Sequence, residues 1–295
     1  MYDAVIIGGG AVGCAVARYL SCYRLSICLV ERGEDVCVGT SKANSAICHA
    51  GFDAPVGSAK ARFNVEGSRM MEGLSQELDF PYRRCGSLVL CFDEAELPHL
   101  RELLERGVQN GVEGLEILDR AALRALEPAV SDKAVAALWA PTGAVLCPFG
   151  MTIALAENAA ANGCAFRFNT EVARIERRDG FFRLHTGGDC IDTRVVISAA
   201  GVYGDALHNQ LCADKLTIVP RRGEYCLLDR TCGQLVQHTI FQLPSAMGKG
   251  VLVTPTVHGN LLVGPTAVDQ PDKDRTATTT EGLRSVAETA AKSVE

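Results

Sequence analysis

Three glycines near the N-terminus, and one acid after them, could hold a dinucleotide. A short apolar run is followed by Gly8, Gly10 and Gly13, a spacing typical of the turn between a strand and a helix that binds a dinucleotide. In that turn the first glycine permits the bend, the second lets a pyrophosphate approach the backbone, and the third lets the helix pack closely on the strand. The helix that begins there offers free N–H groups to phosphates. Glu31 ends the next apolar run, where a carboxylate can accept hydrogen bonds from ribose hydroxyls and would repel a 2′-phosphate. The spacing predicts a dinucleotide site and disfavours NADP.

The sequence after the glycines favours FAD over NAD. An NAD-binding domain of this type continues with alternating strands and helices, whereas residues 39–52 are rich in Gly, Ser, Asn and His and show no clean period. The next apolar strand that could join the same sheet is predicted only at residues 195–200, before Gly201. This layout suits a long cofactor that lies across a sheet, so we expect FAD.

The elements that position these residues follow from hydrophobic periodicity. A strand at 2–7, a helix at 14–23 and a strand at 25–30 form a βαβ unit, which implies a parallel sheet buried on both faces. Asp179-Gly180 between two alternating runs predicts a hairpin. Further helices are predicted at 58–78, at 94–109, from a cap at Asp119 to before Pro128, from a first-turn Pro148 through 151–161, at 204–211, and at 281–294 after a cap at Thr280.

The second half of the chain predicts another sheet. Short apolar strands recur there at close spacing, with Gly and Pro turns between them, which is typical of antiparallel strands. They are predicted at 216–228, 239–243, 251–255 and 261–263. The predicted fold class is α/β, with a Rossmann-like FAD-binding domain and an interleaved, mostly antiparallel β-sheet substrate domain.

The composition excludes several classes of protein. The 295 residues include 29 Lys and Arg against 35 Asp and Glu, a net charge of −6, and 47% of them are hydrophobic. Such a chain is globular rather than disordered or fibrous. Because it has no basic run, neither nucleic acid nor an anionic membrane is expected as its main partner.

The thirteen cysteines form neither a metal motif nor a disulfide framework. The closest pairs are six residues apart and C-x-x-C does not occur, so no metal site is expected. The total is odd, and several cysteines lie in apolar runs. Reduced thiols in a cytoplasmic protein explain this pattern best, and the first 30 residues lack the basic leader of a secretory signal peptide.

Several short motifs resemble those of one known family. Thr40-Ser41-x-Ala43-Asn44-Ser45, followed by His49-Ala50-Gly51, is similar to the flavin-facing loop of the D-amino-acid-oxidase-like FAD oxidoreductases. Within that family the sequence most resembles the glycerol-3-phosphate oxidases and dehydrogenases, and next the L-2-hydroxyglutarate oxidases. The resemblance covers essentially the whole chain; its further motifs are Glu127-Pro128, 138–143, 169–172, Ala199-Ala200-Gly201, Arg222-Gly223-Glu224-Tyr225, 250–256 with Gly259-Asn260, and Gly264-Pro265-Thr266-Ala267.

The resemblance implies which residues line the FAD. Val172 would act through its backbone beside the adenine end, although an ordinary strand residue is the alternative reading. The implied set is Gly8, Gly10, Gly13, Glu31, Arg32, Thr40, Ser41, Asn44, Val172, Ala200 and Gly201.

The resemblance also implies the residues on the substrate side. His49 would be the base that takes the alcohol proton while hydride leaves carbon, a task suited to imidazole; a structural histidine bonded to its loop is the alternative. Ser45 would lie beside flavin and substrate, or serve the turn. Lys249 would help to hold the substrate phosphate, or be a solvated loop lysine. Arg222 would bind a carboxylate or phosphate, or support the fold through Glu224.

The implied reaction is oxidation of sn-glycerol 3-phosphate to dihydroxyacetone phosphate by hydride transfer to FAD. The alternatives are the same chemistry on L-2-hydroxyglutarate or another 2-hydroxy or amino acid, and a catalytically incompetent fragment that only binds FAD. The expected partners are a small anionic substrate and an electron acceptor, which could be oxygen, a quinone or an iron–sulfur protein. Membrane association is expected only through such a partner.

We expect two discontinuous domains. The FAD-binding domain comprises residues 1–79 and 148–214, and the substrate domain comprises 80–147 and 215–278. Residues 279–295 begin a further helix. The family continues with a substrate-binding arginine and a glycine-rich segment that closes over the flavin, and no part of this sequence matches them, so the chain resembles a member truncated at its C-terminus.

Overall fold

A computed structural model describes residues 1–244 and 250–294 of the chain. Thr40–Lys42 is a short 3-10 turn. The α-helices of the described residues are α1 (Ala11–Leu20), α2 (Ala59–Leu78), α3 (Leu97–Gln109), α4 (Arg120–Leu126), α5 (Pro148–Ala161), α6 (Gly204–Leu211) and α7 (Thr280–Ala290). None of these helices combines the length and the apolar character that crossing a bilayer requires.

The strands of the same residues are short, and most have two to seven residues. They are β1 (Tyr2–Ile7), β2 (Ile27–Val30), β3 (Ile47–Cys48), β4 (Tyr82–Arg83), β5 (Ser87–Cys91), β6 (Glu116–Asp119), β7 (Ala136–Ala140), β8 (Ala144–Leu146), β9 (Ala165–Arg167), β10 (Val172–Arg178), β11 (Phe181–Thr186), β12 (Cys190–Ser198), β13 (Arg221–Arg222), β14 (Cys226–Leu228), β15 (Thr239–Gln242), β16 (Leu252–Pro255), β17 (Leu261–Gly264) and β18 (Val268–Asp269).

The first sheet confirms the predicted βαβ unit. Its strand order is β10-β11-β12-β1-β2-β9, and β1 runs parallel to both β2 and β12. Helices α1 and α5 cover one face, around the buried Ile6 and Leu29. Helix α6 covers the other face, where Leu207 packs with Val5 and Leu184. Burial on both faces explains why the parallel strands are continuously apolar.

The join between β1 and α1 depends on glycine. Gly8 has a φ of +111°, which a residue with a side chain rarely adopts. A Cβ at position 13 would lie 1.9 Å from the carbonyl oxygen of Gly8. The backbone of helix α1 therefore contacts the backbone at the end of β1 directly, with no room for a side chain between them. Helix α1 begins at Ala11, three residues before the predicted start, because Gly10 already forms its N-cap.

The second sheet is mostly antiparallel, as predicted. Its order is β14-β17-β16-β15-β5-β7-β6, and its one parallel pair joins β15 to β5. A separate small sheet, β3-β8-β4, pairs Ile47 and Cys48 with Val145 and Ala144, which fixes the end of the loop that was predicted to face the flavin. The assignment of the domain boundaries stays a prediction.

Most predicted helices are confirmed, several of them with their caps. Ser58 caps α2 and Asp119 caps α4 through side-chain hydrogen bonds, and Pro148 occupies the first turn of α5. Some predictions were wrong in detail: α3 begins at Leu97 rather than at 94, and α7 ends at Ala290 rather than at 294. Residues 216–220 form no strand, and the cap of α7 is Thr279 rather than Thr280.

Glu224 explains why the last helix begins where it does. Its buried carboxylate accepts a hydrogen bond from the Thr279 backbone N–H at 2.5 Å. A Cβ at Gly282 in the first turn would lie 2.0 Å from that carboxylate. Burial would raise the pKa of Glu224, but the Thr279 hydrogen bonds and the Arg222 charge outweigh it and hold the pKa below its usual range. An ionised carboxylate at a helix N-terminus is stabilising.

We expect Gly13→Ala to lower the free energy of unfolding by roughly 2–3 kcal/mol, because helix α1 must move off the strand to admit the methyl group. Gly73→Ala, in α2, is the matched control, because a Cβ there meets no atom within 4 Å and should stabilise the helix by about 0.5–1 kcal/mol. Urea unfolding measures both values. Equal stability of the two variants would contradict the role given to Gly13.

Candidate functional site

A cavity of about 780 Å³ opens where three parallel strands end. Strands β1, β2 and β12 all point their carboxyl ends at this edge of the sheet, which is where α/β sheets bind ligands. Of the predicted cofactor residues, those lining the cavity are Gly8, Gly10, Glu31, Arg32, Thr40, Ser41, Asn44, Val172, Ala200 and Gly201. Gly13 lies behind this wall, in the contact with Gly8.

The N-terminus of α1 forms one wall of the cavity. Its first turn contains no acidic residue, and Val12 faces the cavity with 68% of its surface exposed. The hydroxyl of Ser41 accepts a hydrogen bond from the Ala11 N–H at 2.9 Å. A Cβ at Gly10 would lie 3.0 Å from the same hydroxyl oxygen. Ser41 therefore ties the loop to the helix end, where the partial positive charge favours phosphate.

Glu31 is held by the backbone around it. Its Oε2 accepts a hydrogen bond from Gly9 N–H and its Oε1 accepts one from Gly33 N–H, each at 2.7 Å. Each carboxylate oxygen can accept a further bond. The carboxylate is therefore fixed in the cavity wall, with acceptor capacity left for ribose hydroxyls.

Arg32 and Tyr203 form a stacked pair at the rim near Glu31. The guanidinium lies 4.0 Å from the centre of the Tyr203 ring, and the Tyr203 hydroxyl donates to the Asp274 carboxylate. The Tyr203 hydrogen bond, more than the Asp274 charge, raises the pKa of Arg32. Tyr203 was not among the predicted residues, although its place just after the Ala199-Ala200-Gly201 motif was a signal that could have found it.

The opposite wall is apolar. Ile47, Leu146 and Met151 line it with Cys48, and burial raises the pKa of the Cys48 thiol, which keeps it neutral. An apolar wall suits a flat aromatic ring. A helix N-terminus for phosphates, a fixed acid for ribose and an apolar wall for a ring together fit a flavin dinucleotide.

Two predicted substrate residues lie where the loop meets the second sheet. The hydroxyl of Ser45 is 2.9 Å from that of Tyr225, just before β14. His49 directly follows the cavity residue Cys48, and its ring centre lies 5.7 Å from that of Phe241 in β15. Tyr225 was missed as a site residue, although it lies within a motif that the resemblance used.

Of the other two predicted substrate residues, the structure describes Arg222 but not Lys249. Arg222 is 12% exposed, and its Nη2 lies 3.6 Å from Glu224, the contact expected if it supports the fold. Its Nε and Nη1 are buried and have no hydrogen-bond partner among the described residues. Lys249 lies outside the described residues.

The comparisons with known proteins agree with this geometry. A family profile described as FAD-dependent oxidoreductase (DAO) matches residues 3–294. The sequence is 48% identical over 295 residues to a glycerol 3-phosphate dehydrogenase of Caloramator mitchellensis, and spans 62% of that protein's length. It is 32% identical over 280 residues to a mitochondrial L-2-hydroxyglutarate dehydrogenase of Caenorhabditis briggsae, covering 90% of this chain and 64% of that protein.

The sequence is also 34% identical over 281 residues to a glycerol 3-phosphate oxidase of Mycoplasma pneumoniae, which covers 93% of this chain and 73% of that protein. Among solved structures, a dithionite-reduced L-alpha-glycerophosphate oxidase from Mycoplasma pneumoniae with FAD bound is 32% identical and superposes with a TM-score of 0.92, over 99% of this chain and 78% of that chain. The family is FAD-dependent, the similar solved structure has FAD bound, and the lining of the cavity fits FAD.

We expect Ser41→Ala to raise the dissociation constant for FAD about fivefold, because it removes the hydrogen bond that holds the loop over the end of α1. The measurement is a fluorescence titration of the apoprotein with FAD. Ser21→Ala is the control, because the Ser21 hydroxyl donates to the carbonyl of Arg18 at the C-terminal end of α1. An unchanged affinity in Ser41→Ala would show that the loop is held by other contacts.

Proposed function

This chain belongs to the family of FAD-dependent oxidoreductases, and we propose that it oxidises sn-glycerol 3-phosphate to dihydroxyacetone phosphate. The observation that carries the proposal is the position of His49. His49 follows the cavity residue Cys48 directly along the chain, and its imidazole packs on Phe241 of the second sheet, the sheet expected to face the substrate. The relatives named for glycerol 3-phosphate, at 48% and 34% identity, support the choice of substrate.

The chemistry requires a base beside the reacting alcohol. Oxidation of a secondary alcohol removes a hydride from carbon and a proton from oxygen. FAD, when bound, supplies the acceptor for the hydride. His49 takes the hydroxyl proton. Its backbone is held by the Asn64 side chain, which donates to the His49 carbonyl at 2.8 Å, and by the pairing of the two preceding residues, β3, with β8.

The substrate anion needs donors near this base. Ser45 offers a hydroxyl oriented by Tyr225, whose own hydroxyl stays protonated because burial raises its pKa. Arg222 is the first cation proposed for the phosphate, because its buried Nε and Nη1 have no hydrogen-bond partner among the described residues, and Lys249 is the second. Guanidinium and ammonium groups are the usual ligands of phosphate.

The second candidate substrate is L-2-hydroxyglutarate, favoured by the 32% identity to a dehydrogenase named for it. The same base would serve, and a carboxylate would replace the phosphate. For the cations, the two candidates differ in the anion to be held, a phosphate or a carboxylate.

The experiment is anaerobic mixing of the FAD-loaded protein with each substrate, followed by the loss of flavin absorbance. We expect glycerol 3-phosphate to reduce the flavin. We expect His49→Ala to slow that reduction by about 10²–10⁴-fold, the usual contribution of a general base, while FAD stays bound. His99→Gln, at an exposed position of α3, should react like the wild type.

Two results would overturn the proposal. Reduction by L-2-hydroxyglutarate alone would transfer the activity to the second candidate. A His49→Ala variant that reduces at the wild-type rate would remove His49 as the base, as expected for oxidation of an amine.

We expect Tyr225→Phe to weaken glycerol 3-phosphate binding about fivefold, because Ser45 loses the hydrogen bond that orients it. The dependence of the reduction rate on substrate concentration gives this value. FAD affinity should not change, since Tyr225 does not line the cavity. A change in FAD affinity with unchanged substrate binding would contradict the placement of Ser45 on the substrate side.

A further inference from the structure

Three side chains form a line on an exposed face of the first sheet, away from the cofactor cavity. The sulfur of Cys190 lies 3.5 Å from Nδ1 of His185. Nε2 of His185 lies 3.1 Å from a carboxylate oxygen of Glu176. Cys190 is exposed to solvent. A thiol, an imidazole and a carboxylate in this order are the components of an activated nucleophile.

The register of three strands produces this line. His185 of β11 pairs directly with Cys190 of β12, and Glu176 of β10 lies diagonally across from His185. Side chains alternate between the faces of a sheet. Ile175, Leu184 and Ile191 fill the buried face, so the neighbouring residues of the triad must share the outer face.

Glu176, His185 and Cys190 form a triad in which the ionisation of Glu176 determines which nitrogen of His185 carries the proton. The hydrogen bond from His185, more than the charges of Arg178 and Arg174, holds the pKa of Glu176 below its usual range, so this carboxylate is ionised. An ionised carboxylate can only accept, and Nε2 therefore carries the proton. In the neutral imidazole, Nδ1 is then the acceptor that faces the sulfur.

The surrounding charges favour an anionic reagent. Arg174 and Arg178 pair with Glu176 at 3.4 and 3.0 Å. Arg183 holds Asp192 through two bonds of 2.8 Å. Asp189, whose carboxylate accepts a hydrogen bond from the Cys190 N–H at 2.7 Å, pairs with Arg167 at 3.2 Å. These pairs contain four guanidinium groups and three carboxylates, and a net positive surface raises the local concentration of small anions.

We propose that Cys190 is a reactive thiol that exchanges with small anionic disulfides, with His185 as its base. His185 Nδ1 takes the thiol proton as the sulfur attacks one sulfur of the disulfide. A bond forms between Cys190 and that sulfur, and the bond within the disulfide breaks. The departing thiolate receives the proton from His185. Cys190 is oxidised to a mixed disulfide, and half of the reagent is reduced to a thiol.

The test uses the native holoprotein and the dianionic aromatic disulfide 5,5′-dithiobis(2-nitrobenzoate). Timed quenching and peptide mass mapping give a separate rate for each cysteine. The other exposed cysteines, Cys22 and Cys212, are internal controls. We expect Cys190 to react about tenfold faster than either, as thiols beside a proton acceptor do.

Two variants test whether the rate of Cys190 depends on His185 and Glu176 or only on the exposure of its thiol. His185→Gln should bring the Cys190 rate down to that of the controls, and Glu176→Gln should lower it partway. FAD content and circular dichroism confirm that each variant is folded. Equal rates for Cys190, Cys22 and Cys212 in the wild-type protein would overturn the proposal, and so would a Cys190 rate that His185→Gln leaves unchanged.

Discussion

The contact between Gly13 and the carbonyl of Gly8 is the constraint on which the rest of the site depends. Only a residue without a side chain allows helix α1 to begin this close to β1, since a Cβ would lie 1.9 Å from the carbonyl oxygen. The contact aims the first turn of α1 across the ends of the parallel strands. The N-terminal end of α1 and the carboxylate of Glu31, which are the proposed contacts of the phosphates and a ribose, then face one cavity.

The loop of residues 39–52 is the second important feature, because it joins the cofactor side to the substrate side. Ser41 fixes its start to Ala11 of α1, and the pairing of β3 with β8 fixes its end. Between these points, Ser45 reaches Tyr225 at the edge of the second sheet. One continuous segment thus lines the cavity and places Ser45 and His49 against the other sheet, as an oxidation that passes hydride from substrate to cofactor requires.

The sequence predicted local structure and failed where distant residues meet. The glycine turn, the Ser58 and Asp119 caps and the Asp179-Gly180 hairpin were predictable because each is determined by a few consecutive residues. The Ser45–Tyr225 bond spans 180 positions, and the Tyr203–Asp274 contact spans 71; no local pattern encodes such pairs. The cap of α7 was placed one residue late because the decisive partner of Thr279 is Glu224, 55 residues away. The Cys190 triad depends on the register of three strands, which periodicity alone does not reveal.

The central claim, that the cavity beside the glycine turn holds FAD, is tested most directly by the cofactor content of the purified chain. Denaturation releases a non-covalent flavin, whose identity and amount follow from chromatography and absorbance against protein concentration. We expect FAD, bound one to one after reconstitution and released intact. A colourless protein that takes up no FAD, or one that retains NAD instead, would contradict it.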